Sequence, residues 1–290
     1  MAVGFVGKEG LTLYVIAAVL ATLLIYGLIT DSTNVWVFYT SLGDEYFYVA
    51  VFLILYIFID AEFAYSTLSL VLFSVATNAV IKQIAAVERP PKEFWRIEAE
   101  GYSWPSRHAM TSATLWSYIA LKFKNMALRL VGLISVLGIS YSRVALGVHW
   151  LNDVVWGVIF GVLISLIFYL IQKFLGEGLS ITYLFLAITA VMSLIAGFNY
   201  GDIQALKVLG ITAALTNASI LKPKFRSLNT STLSAKLTAS LTALATSGAV
   251  AVFIKLEHPI AIIGKYYLIT TLLTATPVVV IHLFKHSFKN

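Results

Sequence analysis

Long apolar segments separated by short polar breaks dominate the pattern of the chain. The segments lack the alternation of a half-buried strand, and about ten of them approach the roughly 17 to 25 residues that a helix needs to cross a bilayer. Continuous segments of this kind favour helices, which satisfy their own backbone polar groups inside a membrane. The predicted spans are 11–30, 46–59, 64–81, 108–123, 127–143, 150–172, 181–198, 204–221, 236–254 and 266–284. The sequence therefore predicts an all-α polytopic membrane protein.

Composition supports this fold class and narrows the chemistry. Hydrophobic residues make up 59% of the chain and charged residues only 12%, whereas a soluble domain carries about 25% charged residues. The chain has no cysteine, which excludes disulfides, thiolate metal ligands and a cysteine nucleophile. The net charge of +6 comes from cations in short loops rather than from a continuous stripe. This distribution favours anchors beside anionic membrane lipids and indicates no nucleic-acid partner.

The chain divides into two predicted regions. Residues 1–175 contain six spans and every residue that is a candidate for chemistry, so they are expected to form the core that carries the functional site. Residues 176–290 contain about four additional spans with few charges apart from loop cations. This second region is either a family-specific extension or a partner-binding module, and its spans are the expected contacts of a homo-oligomer. The segment 46–59 is short, which leaves a tilted or re-entrant span open there.

The positive-inside rule predicts the orientation, because Lys and Arg in short loops favour the cytoplasmic side. With both termini in the cytoplasm, the opposite loops contain Asp31, Asp44, Glu45 and Asp202. All three polar motifs described below then lie on the extracytoplasmic face, and the plasma membrane is the expected location. The cations assigned to the cytoplasmic side are Lys122, Lys124, Arg129, Lys173, Lys222, Lys224, Arg226, Lys236, Lys285 and Lys289.

The most specific motif is Ser142-Arg143-x5-His149-x3-Asp153. A new helix is predicted to begin near Trp150, and residues four apart on a helix lie on one face. Asp153 can then accept the ring N–H of His149 and leave the other nitrogen basic, as a phosphorus nucleophile requires. The alternative is a histidine at the headgroup level beside a locally paired carboxylate. Arg143 and the two other motifs favour the catalytic interpretation.

A second motif, Pro105-Ser106-Arg107-His108, precedes the fourth predicted span. Helix N-termini bind anions through free N–H groups and the helix dipole, and Ser106 lies at such an end. His108 in the first turn is placed to donate a proton to a departing oxygen. An ordinary helix cap is the alternative interpretation of Pro-Ser, and the two functions are compatible.

A third motif, Lys82-x6-Arg89-Pro90, follows the third span. Arg offers a planar fork that matches phosphate oxygens, and Lys offers a point charge, although both can also be interfacial cations that extend toward water. With Arg143, these cations can neutralise the equatorial oxygens of a phosphoryl transition state without a metal. The acidic residues of the same loop are irregularly spaced, which favours a solvated surface over a cation site. These residues are Glu88, Glu93, Glu98 and Glu100.

Taken in order, the three motifs resemble the signature of the type 2 phosphatidic acid phosphatase superfamily, over about the first six spans. The resemblance implies a cofactor-free and metal-independent phosphatase of lipid phosphates or diphosphates, built on a six-helix core with its site at the outer face of the membrane. It also implies a role for each matching residue. These roles are phosphate binding by Lys82, Arg89 and Arg143, a hydrogen bond to phosphate from Ser106, general-acid catalysis by His108, nucleophilic attack by His149 and orientation of that histidine by Asp153.

Arg107 departs from the family pattern, which has glycine before the histidine. Glycine permits a close approach of the backbone to phosphate, whereas arginine adds a bulky cation. Two interpretations stay open: Arg107 points away into the loop, or it binds part of a larger anion such as a diphosphate. The four spans after residue 175 are a second departure that the motifs do not explain.

The function that best fits these features is hydrolysis of a lipid phosphate or diphosphate through a phosphohistidine, with polyprenyl diphosphate as the favoured substrate. Phosphatidate, phosphatidylglycerophosphate and sugar phosphates are alternative substrates for the same chemistry. A different class of function is a lipid transporter or scaffold whose cations only attract anionic headgroups. A binder of that kind would tolerate loss of the His149 imidazole, whereas a nucleophilic enzyme would not.

Overall fold

Helices account for the architecture of the chain. The computed structural model describes residues 8–176, 179–218, 228, 231–255 and 258–287, and no strand occurs within these ranges. The predicted all-α fold class is confirmed. The helices are α1 Lys8–Thr30, α2 Thr33–Ser41, α3 Glu45–Ile54 with a π-helical end Leu55–Ile59, α4 Ala61–Ala85, α5 Arg107–Lys122, α6 Met126–Ala145, α7 Leu151–Leu175, α8 Leu179–Leu194 with a π-helical end Ile195–Asn199, α9 Ile203–Asn217, α10 Leu233–Phe253 and α11 Pro259–Ser287.

The helices include enough long apolar segments for an integral membrane protein. Within the described ranges, seven helices pass a length and hydropathy test for spanning a bilayer, and the broken pair of α2 and α3 would add an eighth. Two predicted spans correspond to shorter helices, α5 with 16 residues and α9 with 15. Every predicted span coincides with a helix, although residues 219–221 of one lie outside the described residues. Several predicted cytoplasmic cations also lie outside them, namely Lys222, Lys224, Arg226 and Lys289.

Contacts divide the chain into two compact units. The first unit consists of Met1–Tyr48 and Ile81–Glu177, and the second of Val49–Val80 and Gly178–Asn290. Every candidate site residue belongs to the first unit. Residues 49–80 belong to the second unit, so the units differ in composition from the predicted regions 1–175 and 176–290. The assignment of those two regions as phosphatase core and membrane extension stays a prediction.

The second unit is held together by aromatic contacts and paired hydroxyls. Phe52 and Tyr56 stack with ring centroids 5.3 Å apart, and Tyr56 Oη donates to the carbonyl of Thr274 at 2.9 Å. Ser66 and Thr182 share a hydrogen bond of 3.0 Å. Buried hydroxyls need such partners because an unpaired polar group in an apolar interior is destabilising.

In the first unit, α5 and α7 run parallel and in close contact. A Cβ added at Gly157 would lie 2.7 Å from the carbonyl oxygen of Ser106, and one at Gly161 would lie 2.3 Å from that of Met110. One turn further along, Ser165 Oγ donates to the carbonyl of Thr114 at 2.6 Å. Small residues at this spacing let two helix backbones approach closely in a membrane. The start of α5 therefore lies beside the first two turns of α7, with the N–H of Ser106 2.9 Å from the carbonyl oxygen of Asp153.

A second cluster in the first unit joins α1, α2 and α6. Trp36 and Tyr39 of α2 are fully buried, and Tyr39 Oη donates to the carbonyl of Leu20. Gly138 of α6 makes room for the Tyr39 ring, because an added Cβ would lie 2.1 Å from it. The hydrophobic pattern did not predict α2, whose nine residues are too few for a span.

Gly161→Ala tests the close packing of α5 and α7. The added methyl would overlap backbone atoms of α5 that cannot move aside alone, so we expect a loss of about 1 to 3 kcal/mol of stability. All six tryptophans lie between residues 36 and 156 in the first unit. Thermal unfolding followed by tryptophan fluorescence in detergent therefore reports on the unit that contains the change.

Gly248→Ala on α10 is the matched control, since its added Cβ meets no atom within 4 Å. We expect the control to leave the midpoint of the fluorescence transition unchanged. Equal midpoints for Gly161→Ala and the unaltered protein would contradict the role assigned to this contact.

Candidate active site

The three sequence motifs meet where α5 and α7 begin. Lys82 lies in the last turn of α4 and Arg143 in the last turn of α6. Ser106 is the N-cap residue of α5, and His149 lies just before the N-cap residue of α7, Trp150. The parallel packing of α5 and α7 places their N-terminal ends together, and free N–H groups at such ends favour anions. The structure thus assembles one polar cluster from segments far apart in the sequence.

His149 contacts a carboxylate on one ring nitrogen and a guanidinium on the other. Its Nδ1 lies 3.1 Å from Asp153 Oδ2, and its Nε2 lies 3.1 Å from Arg89 Nη1. An ionised carboxylate only accepts and a guanidinium only donates, so Nδ1 carries the proton and Nε2 carries the lone pair. The spacing in the sequence predicted the contact with Asp153. The lone pair of Nε2 points toward a cation, where a bound phosphate would be attracted.

The turn before α7 fixes the position of His149. Gly147 has a φ of +74°, and an added Cβ would lie 1.8 Å from the carbonyl oxygen of Phe94. A residue with a side chain is therefore excluded there by both conformation and space. Asp153 Oδ2 also accepts the backbone N–H of Trp150 at 2.9 Å. One carboxylate thus caps the helix and binds the imidazole.

Backbone carbonyls of the loop between α4 and α5 hold Lys82 and Arg89. Lys82 Nζ donates to the carbonyls of Tyr102 and Ser103, the second at 3.2 Å. Arg89 Nε and Nη2 donate to the carbonyls of Gly101 and Glu100 at 3.0 and 2.7 Å. Neutral carbonyls stabilise the two cations without cancelling their charge. The cluster therefore keeps a strong preference for an anion.

Two polar atoms of the predicted phosphate-binding set are buried without a partner. Among the described residues, Ser106 Oγ and Arg143 Nε form no hydrogen bond and are shielded from solvent. Ser106 occupies the N-cap position of α5, yet its side chain does not cap the helix. Arg143 Nη1 donates to Thr40 Oγ1 at 2.6 Å. A buried donor without a partner is destabilising, and a bound oxyanion would satisfy both.

Arg107 lies near the other cations of the cluster. Burial, and then the neighbouring Arg107, lowers the pKa of Arg89 to about 10, so that Arg89 still carries its charge at neutral pH. Arg107 also interacts electrostatically with Lys82 and Arg143. This proximity favours the interpretation in which Arg107 adds positive charge to the site over one in which it points away.

Burial controls the charge of His149. Desolvation lowers the pKa of its imidazole well below the usual range, and Lys82, Arg89, Arg143 and His108 lower it further. A group with a lowered pKa of this kind stays neutral until the pH falls well below the ordinary value for histidine. Neutral imidazole is the nucleophilic form.

His108 has a partner that the sequence did not predict. Its Nε2 lies 3.0 Å from Oδ1 of Asp44, in the turn between α2 and α3. Thr40, which accepts from Arg143, precedes the same turn. Asp44 was expected only as an acidic loop residue. A signal for the missed element exists in Ser32, an N-cap residue type followed by an aromatic run.

An aromatic cleft of about 370 Å³ opens beside the cluster. Trp104 packs edge to face against Phe160 with ring centroids 5.7 Å apart, and Trp156 lies 6.3 Å from Trp104. The lining residues are Val87, Trp104, Trp150, Asn152, Asp153 and Trp156.

No group of three or more His, Asp or Glu side chains is arranged to hold a metal ion within the described ranges. The loop glutamates Glu88, Glu93, Glu98 and Glu100 are all exposed and form no such group. The absence of a cofactor requirement stays a prediction.

Comparison with known proteins connects this site to a family. A family model described as the PAP2 superfamily matches residues 62–177, which include every candidate site residue. Undecaprenyl-diphosphatase of Sulfolobus acidocaldarius is 30% identical over 146 residues, or 48% of this chain and 70% of that protein. The chain belongs to the PAP2 superfamily. This membership confirms the resemblance drawn from the three motifs.

The PAP2 assignment also defines the general activity. Phosphatidylglycerophosphatase B of Bacillus subtilis is 34% identical over 108 residues, which cover 33% of this chain and half of that protein. No solved structure matches the chain. Membership in the PAP2 superfamily and the phosphatase relatives identify this protein as a membrane lipid phosphatase, a hydrolase of phosphate esters or diphosphates.

The lowered pKa of His149 predicts that its ring stays neutral from about pH 8 to about pH 5, an interval in which histidine ordinarily titrates. NMR of histidine-labelled protein in detergent measures this directly, because the chain has five histidines. Removing a nearby cation by Lys82→Met should raise the protonation midpoint of His149. Lys124→Met, which removes a cation just beyond the C-terminal end of α5, should leave that midpoint unchanged. A midpoint of His149 in the ordinary range would contradict the effect of burial.

Proposed function

We propose that the protein is a metal-independent phosphatase that works through a phosphohistidine on His149. The observation that carries the proposal is the pair of contacts made by His149, with Asp153 on Nδ1 and Arg89 on Nε2. The basic nitrogen Nε2 is directed at the guanidinium of Arg89. A terminal phosphate that displaces this hydrogen bond would accept the N–H from Arg89 Nη1 and meet the lone pair of Nε2.

In the first step, Nε2 of His149 attacks phosphorus and the bond to the leaving oxygen breaks. The electron pair of that bond goes to the leaving oxygen, which takes a proton from His108. Asp153 stabilises the positive charge that develops on the His149 ring. Lys82, Arg89, Arg143 and Ser106 bind the three equatorial oxygens, which is where charge accumulates in a phosphoryl transition state.

In the second step, water attacks phosphorus and the bond between phosphorus and Nε2 breaks. The electron pair returns to His149, and the proton released by water goes to His108. Inorganic phosphate leaves, and both histidines regain their starting protonation states. No other reactant is consumed, so the cycle is a simple hydrolysis.

The favoured substrate is a polyprenyl diphosphate, which is converted to the monophosphate. The name of the Sulfolobus relative supports this choice, as does the additional cation Arg107 near the phosphate-binding residues. The aromatic cleft beside Asp153 would accept the first isoprene units of the chain. Phosphatidylglycerophosphate is the second candidate, because the Bacillus relative is named for it and its lipid tail fits the same cleft.

The proposed orientation has both termini in the cytoplasm and the site on the extracytoplasmic face of the plasma membrane. The distribution of loop cations supports this topology. The proposed role of residues 176–290 is a membrane extension through which copies of the chain associate. The proposed chemistry uses only residues of the first unit.

His149→Ala is the direct test of the mechanism. We expect phosphate release from polyprenyl diphosphate, measured with EDTA present, to fall by about a thousandfold or more, because the nucleophile is lost. Phosphatidate, phosphatidylglycerophosphate and glucose 6-phosphate rank the alternative substrates in the same assay. Rapid quenching with labelled substrate should trap an acid-labile, base-stable phosphoprotein that His149→Ala lacks.

His258→Ala is the control, since His258 is an exposed histidine of the second unit, and we expect it to retain full activity. Turnover that is equal in His149→Ala and the unaltered protein would contradict a histidine nucleophile. Absence of turnover on all four substrates would favour the transporter or scaffold.

Arg107→Gly restores the residue of the family pattern and tests the preference for diphosphate. If Arg107 binds the second phosphate, kcat/KM should fall by about 10-fold or more for polyprenyl diphosphate and much less for polyprenyl monophosphate, since one charge-assisted contact is lost. Arg107→Lys keeps the charge and should retain part of the preference. Arg129→Ala serves as the control, because Arg129 lies near the N-terminal end of α6, whereas the site residue Arg143 lies in its last turn. Equal effects on the two substrates would show that Arg107 does not distinguish them.

A further inference from the structure

Asp44 is the carboxylate that contacts the second histidine of the site. Its Oδ1 lies 3.0 Å from Nε2 of His108, and the two residues are 64 positions apart in the chain. The side chain of His108 is 14% exposed and that of Asp44 is 48% exposed. The contact therefore joins a largely buried imidazole to a half-exposed carboxylate. Residues 62–177, which match the family model, do not include Asp44.

The turn that carries Asp44 is fitted to the imidazole. Gly43 lies so close that an added Cβ would be 2.8 Å from Cδ2 of His108. Backbone bonds from Gly43 to Thr40 at 2.9 Å and from Asp44 to Ser41 at 3.2 Å close the turn directly after α2. The same turn follows Thr40, which accepts from Arg143. Because Asp44 contacts Nε2, Nδ1 is the ring nitrogen of His108 that remains available to a ligand.

Charged side chains from three elements interact with His108. Arg143 on α6 and Arg107 on its own helix are cations, whereas Asp44 in the turn after α2 is an anion. His149 lies near enough to interact with His108 electrostatically. Tyr48 of α3 interacts with both Asp44 and Arg107. A general acid needs its proton in this cationic setting, and Asp44 and a bound phosphate are the two sources of negative charge beside it.

We propose that Asp44 is a positioning residue that keeps His108 protonated and aims Nδ1–H at the leaving oxygen. This inference rests on the proposed function, in which His108 is the general acid. The carboxylate binds Nε2–H while Nδ1–H moves to the leaving oxygen as its bond to phosphorus breaks. His108 is then neutral, and the proton from the attacking water restores the imidazolium. Asp44 itself neither gains nor loses a proton.

Asp44→Asn tests the proposal through the pH dependence of kcat, which reports groups in the enzyme–substrate complex. The variant keeps the shape of the side chain and removes its charge. A protonated general acid is lost as the pH rises, so the basic limb should move to lower pH by about one unit or more. At neutral pH, kcat for the lipid substrate should fall by about 10-fold or more, and kcat for p-nitrophenyl phosphate should fall less, because its leaving group needs little protonation.

Asp44→Glu retains the charge and should restore most of the profile. Glu93→Gln removes a carboxylate from an exposed position of the loop after α4 and should match the unaltered protein. An unshifted basic limb in Asp44→Asn, or equal losses of kcat on the two substrates, would overturn the role of Asp44 while leaving the phosphatase intact. Asp44→Ser is a second variant for the same measurements if Asp44→Asn does not fold.

Histidine NMR separates this inference from the proposed function. In protein without substrate, Asp44→Asn should lower the midpoint of His108 protonation whether or not turnover is detected. A midpoint that does not change would overturn the inference. Absence of turnover in the unaltered protein would instead count against the proposed function.

Discussion

The close parallel packing of α5 and α7 is the constraint on which the rest of the site depends. Gly157 and Gly161 bring the two backbones into contact, and Ser165 ties them one turn further along. Because the helices are parallel, the start of α5 lies beside the first two turns of α7. Ser106 therefore lies beside Asp153, and the two helices direct their positive dipole ends toward the same side. A membrane helix pair without these glycines would hold its first turns farther apart.

Concentrating positive charge at this point destabilises the ligand-free protein, and the contacts show how the fold tolerates it. Lys82 and Arg89 donate to carbonyls of the loop 100–103, and Arg143 donates to Thr40. Neutral acceptors of this kind hold a cation in place but leave its field available to an anion. The unsatisfied Ser106 Oγ and Arg143 Nε carry a desolvation penalty that a phosphate would remove. The groups that would bind phosphate thus reduce the free energy of unfolding of the ligand-free protein, as is common at functional sites.

The local sequence pattern predicted those features of the site that depend on residues close together in the chain. The spacing of His149 and Asp153 predicted their contact, and the position of Ser106 before an apolar segment predicted a helix N-terminus. The contact between His108 and Asp44 joins residues far apart in the chain and depends on the packing of α2 against α6. Hydrophobic periodicity reports which face of a segment is buried, but not which segment covers it.

The grouping of residues 49–80 with the second unit was not predicted for the same reason. Their apolar pattern indicates spans, and nothing in it selects a partner. Tyr56 forms a hydrogen bond with Thr274, and Ser66 forms one with Thr182. Both partners lie more than a hundred positions away in the chain. Such partners follow from the shapes and hydroxyl positions of several helices at once. These partners could therefore be identified only from the folded structure.

Environment, rather than residue type, separates the roles proposed for the two histidines. Each imidazole contacts one carboxylate at about the same distance, 3.1 Å for His149 and 3.0 Å for His108. Asp153 is almost fully buried and also binds the backbone of Trp150, so it orients a neutral ring whose other nitrogen accepts from Arg89. Asp44 is half exposed and binds the ring through Nε2, which leaves Nδ1 as the nitrogen available to a ligand. A nucleophile needs the neutral, oriented ring of His149, whereas a proton donor needs the arrangement of His108. Pairs of titratable groups acquire opposite functions when their surroundings differ in burial and charge.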